Sequence, residues 1–173
     1  MTATNAPGGA AVVGAATEQP QLFPTPQTER TSDDYWTPKW IFDAIGLTFD
    51  LDVACPPEGP AHTPCLRYYT QADDGLTQPW HGTVWMNPPF SASGLWVQKW
   101  LHHANGICLT VMSKSKWYDK LWNGAHGCIA LPPTLKFDNP HGTNGSIFIP
   151  CALWALGNKA TTALANSGIG KMR

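Results

Sequence analysis

Residues 83–90 read TVWMNPPF and combine a buried strand with an unusual loop. The apolar run before Asn87 predicts a strand, and the two prolines make the loop after it stiff and extended. In such a loop, the Asn87 side-chain oxygen and the Pro88 carbonyl can accept both hydrogens of one exocyclic amine, while the Phe90 ring offers a stacking face. The stretch therefore indicates a site for a flat ring that carries an amino group. The alternative is a stiff turn in which Asn87 only forms an Asx-turn.

Around this stretch, predicted strands and helices alternate along the chain. The predicted helices are 34–45, 91–104 and 117–123, with Thr37 as N-cap and Pro38 at the first helical position of 34–45. The predicted strands are 49–54, 67–69, 84–86, 106–112, 128–131, 134–137 and 146–155. This alternation predicts an α/β fold with a mostly parallel sheet, in which the last two strands form an antiparallel edge hairpin. Asp52, Asp74 and Asn87 fall at predicted strand ends, where ligands bind in such sheets.

Composition limits the domain organisation. The chain has 173 residues, enough for one domain, and its first 30 are rich in Ala, Gly, Thr and Pro. We expect residues 1–30 to be a disordered arm and residues 31–173 to form the domain. No apolar run has the length of a membrane helix, so we expect a soluble cytoplasmic protein.

The cysteines favour reduced thiols over disulfides. There are five of them, an odd number, and they are scattered along the sequence. Cys55, His62 and Cys65 lie close in sequence but lack a Cys-x-x-Cys pair, so we expect no metal. Cys151 follows a proline, as a cytosine-methylating nucleophile does, but its apolar surroundings favour a buried structural thiol.

Four pieces of the sequence, in this order, resemble a known family. They are 35–38 (YWTP), 49–54 (FDLDVA), 73–76 (DDGL) with Trp80, and 85–90 (WMNPPF). Over residues 33–156 the chain resembles the phage-type, Dam-like DNA adenine N6 methyltransferases, a branch of the class I enzymes that use S-adenosylmethionine. The resemblance implies a Rossmann-like methyltransferase fold and direct methyl transfer to a flipped adenine. It also implies a biological role, the protection of phage DNA from host restriction.

The resemblance also implies roles for individual residues. Asn87, Pro88, Pro89 and Phe90 match the catalytic loop that holds the adenine. Thr37 and Pro38 match the segment that closes over the methionine part of the cofactor. From its place next to them, Trp36 is a candidate for the pocket mouth, with core packing as the alternative. Asp52, with Ala54 beside it, matches the acidic position that faces the cofactor amino group or ribose, and Asp74 matches an acidic position near the cofactor adenine.

The sequence departs from the family pattern in two places. Many class I methyltransferases have a glycine-rich turn after the first strand, whereas here residues 53–58 contain no glycine. The catalytic aromatic residue is Phe90 rather than the commoner tyrosine, which keeps the stacking face and loses a hydroxyl.

Binding to DNA depends on positive charges that contact its phosphates. Since the formal net charge of the chain is −1, its basic residues must be clustered to bind DNA. The best cluster is Lys114, Lys116 and Lys120, to which Lys99, Lys136 and Arg67 are possible additions. We expect base flipping, short or relaxed sequence specificity carried by loops such as 138–145, and a monomer or weak dimer. Two alternatives stay open: methylation of an amine or amide in RNA or protein, and a non-catalytic DNA-binding relic of the fold.

Overall fold

A five-stranded sheet with four α-helices forms the framework of the protein. The computed structural model describes residues 35–138 and 149–173, so the predicted arm 1–30 and most of the predicted loop 138–145 lie outside the described residues. The strands are β1 Leu51–Asp52, β2 Val84–Met86, β3 Gly106–Val111, β4 Gly127–Ala130 and β5 Cys151–Leu156. The helices are α1 Lys39–Ile45, α2 Ser93–His103, α3 Lys116–Gly124 and α4 Asn158–Asn166.

The strand order across the sheet is β1-β2-β3-β5-β4. β1 pairs with β2 and β2 with β3 in parallel, whereas β5 is antiparallel to both β3 and β4. Four strands therefore run in one direction, and their carboxyl ends meet at one edge of the sheet. The predicted α/β fold with a parallel core and an antiparallel edge is confirmed, and it is consistent with a Rossmann-like methyltransferase fold.

The members of the antiparallel edge pair differ from the prediction. They are β4 and β5, and not residues 134–137 with 146–155. Residues 134–137 form no continuous strand, because the Pro132-Pro133 pair ends the extended run after β4. All six residues of β5 are buried, so this strand lies inside the sheet between β3 and β4.

Two other predicted elements are also different. Helix α1 begins at Lys39, and Pro38 is its N-cap with φ −66° and ψ 145°, so Thr37 is not the cap. The reason is that Trp36 forms a bridge with Asp138, which holds the chain before the helix extended. Residues 67–69 form only a bridge from Tyr68 to Asp52 rather than a strand.

The sheet is covered on both faces, as the side-chain alternation along its strands requires. In β2, Trp85 packs with α1 and α4 on one face, while Val84 and Met86 pack with α2 and α3 on the other. Most tryptophans belong to these cores, including Trp85, Trp100 and Trp154, which are almost completely buried. Cys151 is buried in β5, and burial raises the pKa of its thiol to about 12, as expected for a structural thiol.

Candidate active site

A cavity of about 690 Å³ lies at the carboxyl ends of β1 and β2. The two strands are parallel, with Asp52 paired to Trp85. The residues that follow the two strands therefore lie at the same edge of the sheet. The volume lies in the range of ligand sites, and the position is the one where α/β sheets bind ligands. The sequence-predicted site thus coincides with a real concavity.

Nearly all of the predicted catalytic and cofactor-binding residues line this one cavity. Those that do so are Trp36, Thr37, Asp52, Ala54, Asp74, Asn87, Pro88, Pro89 and Phe90. Pro38 does not line it; this residue is buried and is the N-cap of α1. The structure therefore brings together predicted residues that are up to 54 positions apart in sequence.

Asn87 presents an unused acceptor to the cavity. Its Oδ1 atom is buried and has no hydrogen-bond partner among the described residues. Its Nδ2 group lies 3.5 Å from the Tyr35 carbonyl, a long hydrogen bond that leaves the oxygen as the available atom of the amide. A buried acceptor without a partner is unfavourable, so this atom indicates a ligand that donates a hydrogen bond.

A second orphaned atom lies in the segment before α1. The Thr37 hydroxyl is buried and likewise lacks a partner within the described ranges. The segment is held by Asp138, whose backbone exchanges two hydrogen bonds with Trp36 (2.7 and 3.1 Å). The Asp138 carboxylate also lies 3.1 Å from His62 Nε2, so it ties two walls of the cavity together.

Asp52 is a carboxylate buried at the cavity floor. Asp52 is only 2% exposed to solvent, and this burial raises the pKa of its carboxyl group to about 6. Two hydrogen bonds oppose this shift: one from the Ala54 backbone N–H (3.1 Å) and one from the Thr63 side chain. The carboxylate is thus ionised at neutral pH but readily protonated in mild acid.

The charge of the lining is acidic. Asp52, Glu58 and Asp74 supply three carboxylates, and no lysine or arginine occurs among the described residues that line the cavity. Such a lining attracts a cationic ligand and disfavours a phosphate. The cavity therefore suits a positively charged small molecule together with a neutral ring.

The position of Asp74 corrects the sequence prediction. Asp74 does not follow a strand; it ends a 3₁₀ turn, Gln71–Asp73, with a positive φ of 51°. The next residue, Gly75, packs so closely on the residue after β1 that an added Cβ would lie 2.0 Å from the Val53 carbonyl oxygen. Asp74 still lines the cavity, but from a turn packed against Val53 and not from a strand end.

Sequence reasoning missed a large part of the cavity wall. The missed residues are Tyr35, Val53, Cys55, Pro56, Pro57, Glu58, Ala61, His62, Thr63, Thr70, Gln71, Gly75, Trp85, Ser91 and Trp96. Many of them belong to the proline-rich loop that takes the place of a glycine-rich turn after β1. The position of this loop, directly after a strand at the ligand-binding edge, was the signal that could have identified it.

The predicted DNA-binding lysines lie away from the cavity. Lys114, Lys116 and Lys120 are exposed at the start of α3 and just before it. Because β3 is parallel to β2, the chain after β3 leaves the sheet at the same edge as Asn87. Lys114 also borders a smaller cleft of about 320 Å³ with Tyr118 and Trp122. The possible addition Lys99 has its ammonium group hydrogen-bonded to backbone carbonyls.

Metal-binding clusters and membrane-spanning helices are both absent from the described ranges. His, Cys, Asp and Glu side chains there form no group of three or more that would suit a metal ion. None of the helices in those ranges has the length and apolar character that a bilayer-spanning segment needs.

Comparisons with known proteins give one match. The comparison with curated proteins found no match, and neither did the comparison with solved structures. The sequence model of one family matches residues 25–130, which include β1, β2 and the Asn87-Pro88-Pro89-Phe90 loop and make up more than half of the chain. The chain therefore belongs to the DNA N-6-adenine-methyltransferase (Dam) family.

Proposed function

We propose that this protein transfers a methyl group from S-adenosylmethionine to the N6 amine of an adenine flipped out of DNA. Family membership supports DNA adenine methylation as the general activity. The observation that carries the proposal is the buried, unpaired Asn87 Oδ1 atom in the same cavity as the Asp52 carboxylate. We also propose that residues 31–173 form the single methyltransferase domain.

The lining residues fit the proposed methyl donor. S-adenosylmethionine, when bound, supplies an electrophilic methyl group on a positively charged sulfonium. Asp52 and Asp74 would attract its positive charges, and the Thr37 hydroxyl would gain the partner that it lacks. Trp36 and Ala54 would complete the walls, and Pro38, the N-cap of α1, would fix the backbone next to Thr37.

The Asn87 loop would prepare the target amine. The Asn87 oxygen and the Pro88 carbonyl would accept its two hydrogens, which localises the nitrogen lone pair otherwise shared with the ring. Phe90 would hold the ring by stacking, a contact of about 1 to 3 kcal/mol. The rate would then come mainly from alignment and exclusion of water, without a strong base.

An adenine inside a duplex cannot reach a cavity at the sheet edge, so the base must leave its stack or come from an exposed strand. We propose that Lys114, Lys116 and Lys120 contact the phosphates beside it. All three are exposed at the edge that carries Asn87. No other element of the described chain that borders this edge offers three lysines within seven residues.

Removal of two of these charges should weaken DNA binding without regard to sequence. We expect the double variant Lys116→Gln/Lys120→Gln to lower the slope of log affinity against log salt by about 0.9 for each phosphate that is no longer neutralised. The double variant Lys159→Gln/Lys171→Gln removes the same charge from exposed positions at and beyond α4 and should leave the slope almost unchanged. Equal slopes in the two variants, measured by fluorescence anisotropy with one oligonucleotide, would refute the lysine contacts.

The decisive test of the activity is nucleoside analysis by mass spectrometry. DNA from cells that express the protein should contain N6-methyladenine above the level in cells with an empty vector. In parallel, the purified protein receives DNA, RNA and protein together with labelled S-adenosylmethionine. Label in RNA or protein alone would overturn the DNA assignment, and no label in any polymer, with folded protein present, would favour a non-catalytic protein.

A further inference from the structure

Lys99 on α2 makes an unusual set of contacts with the turn that follows Asp74. Its ammonium group donates hydrogen bonds to the carbonyls of Gly75 (3.0 Å), Leu76 (2.7 Å) and Gln78 (2.5 Å). A lysine ammonium has three N–H groups, so the backbone of this turn uses all of them. We call residues 74–78 the Asp74 turn.

Trp80 connects the same turn to the cavity. Its Nε1–H donates to the Gly75 carbonyl (2.8 Å), and its ring lies 4.8 Å from the Lys99 ammonium. The ring also stacks on Trp96, with centroids 6.2 Å apart, and Trp96 lines the cavity. Lys99 and Trp80 therefore hold the Gly75 carbonyl from two sides, and the aromatic pair extends this support to the cavity wall.

The Asp74 turn needs such support. Asp74 has a positive φ, which non-glycine residues adopt rarely and at an energetic cost. Gly75 lies against the Val53 carbonyl, and within the turn the Asp74 carbonyl accepts from Thr77 N–H (2.8 Å). Without Lys99, three neighbouring carbonyls would lose this shared donor in a half-buried position, which favours a different conformation of the turn.

The charge of Lys99 also bears on Asp74 directly. Burial lowers the pKa of the Lys99 ammonium, and the nearby Asp74 carboxylate partly opposes that shift. The two charges are therefore close enough to interact, although Lys99 itself does not line the cavity. Lys99 thus bears on the position of Asp74, both through the carbonyls of the turn and through the attraction between the two charges.

We propose that Lys99 is a positioning residue for the methyl donor: it fixes the Asp74 turn so that Asp74 and Gly75 form one wall of the donor site. The inference rests on the proposed function, because the ligand of that wall is S-adenosylmethionine. It assigns the lysine to cofactor binding and removes it from the DNA contacts.

The test compares Lys99→Met with Gln98→Met, which introduces the same side chain at the neighbouring exposed position of α2. Calorimetry with S-adenosylmethionine should give a dissociation constant about tenfold higher for Lys99→Met than for the wild type. Gln98→Met should bind like the wild type. In the donor-free protein, hydrogen–deuterium exchange over residues 71–80 should be faster in Lys99→Met and unchanged in Gln98→Met.

A milder variant covers the case in which Lys99→Met does not fold. Trp80→Phe removes one hydrogen bond to Gly75 but keeps an aromatic ring over Trp96, and it should raise the same dissociation constant by about threefold. Equal donor affinity and equal exchange in the variants and the wild type would overturn the inference. So would weaker DNA binding with unchanged donor binding in Lys99→Met. A wild-type protein that binds no donor would instead refute the proposed function.

Discussion

Asn87→Ala is expected to reduce the rate of adenine methylation by a factor on the order of 10² to 10³, the usual effect of removing one buried hydrogen-bonding group that acts on the reacting atoms. The alanine variant lacks the oxygen that accepts from the target amine, so the lone pair stays delocalised into the ring. The measurement is the single-turnover rate of methyl transfer to an adenine-containing oligonucleotide with saturating S-adenosylmethionine.

Donor binding separates this effect from damage to the fold. Asn87→Ala should still bind S-adenosylmethionine in a calorimeter, because the Asp52 and Thr37 side of the cavity is unchanged. Asn166→Ala, at the exposed end of α4, serves as the matched control and should retain the wild-type rate. If Asn87→Ala forms methylated product at the wild-type rate, Asn87 does not have the proposed role.

Asp52→Asn is expected to weaken binding of S-adenosylmethionine by about 30-fold or more at neutral pH, since it removes the buried partner of a cationic ligand. It should also change the pH dependence of binding. In the wild type, the Asp52 carboxyl has a pKa of about 6, so below that pH it carries a proton that a cationic ligand must displace. Wild-type affinity should therefore fall towards tenfold per pH unit in acid, and the affinity of Asp52→Asn should stay level.

The stability of the donor-free protein should depend on pH in the opposite way to donor affinity. The pKa of Asp52 is about 6 in the folded protein, whereas the ordinary value of 3.8 applies to the unfolded chain. Between these two pH values the unfolded chain therefore binds fewer protons than the folded one. The free energy of unfolding should then fall as pH rises through this window, by about 3 kcal/mol at most, and show no further change from this group above it. Donor binding thus requires the charged form that the empty fold disfavours.

Calorimetry across about pH 5 to 7.5 tests donor binding, and urea unfolding across about pH 3.5 to 7.5 covers the window in which the stability should change. Asp43→Asn, on the exposed face of α1, removes a carboxylate that pairs with Lys39 and should leave both profiles as in the wild type. A wild-type donor affinity that does not change with acid, or an Asp52→Asn variant that keeps the acid dependence, would show that Asp52 does not bind the donor.

The parts of the site that could be predicted are those that depend on local sequence. The apolar run before Asn87 specifies a buried strand, and the two prolines after it specify a stiff loop, so both features follow from neighbouring residues. Asp52 follows from the same logic applied to β1. Parallel pairing of β1 and β2 then brings Asn87 and Asp52 to one edge of the sheet.

The parts that were wrong depend on contacts between distant residues. Asp74 is placed by Lys99 and by the close approach of Gly75 to Val53, both more than 20 residues away in sequence. Thr37 is placed by the Trp36 bridge to Asp138, about 100 residues along the chain. The pairing of β5 with β3 is likewise non-local, and the apolar sequence of β5 identifies a buried strand without naming its neighbours.

The acidic lining of the cavity also bears on which part of DNA can enter it. A phosphate that approached Asp52, Glu58 and Asp74 would be repelled, whereas an adenine ring carries no charge and would meet no such barrier. With exposed lysines at the start of α3, the backbone would be attracted beside the opening and rejected from the inside. The lining would thus act as an electrostatic filter that admits the base and excludes the strand that carries it.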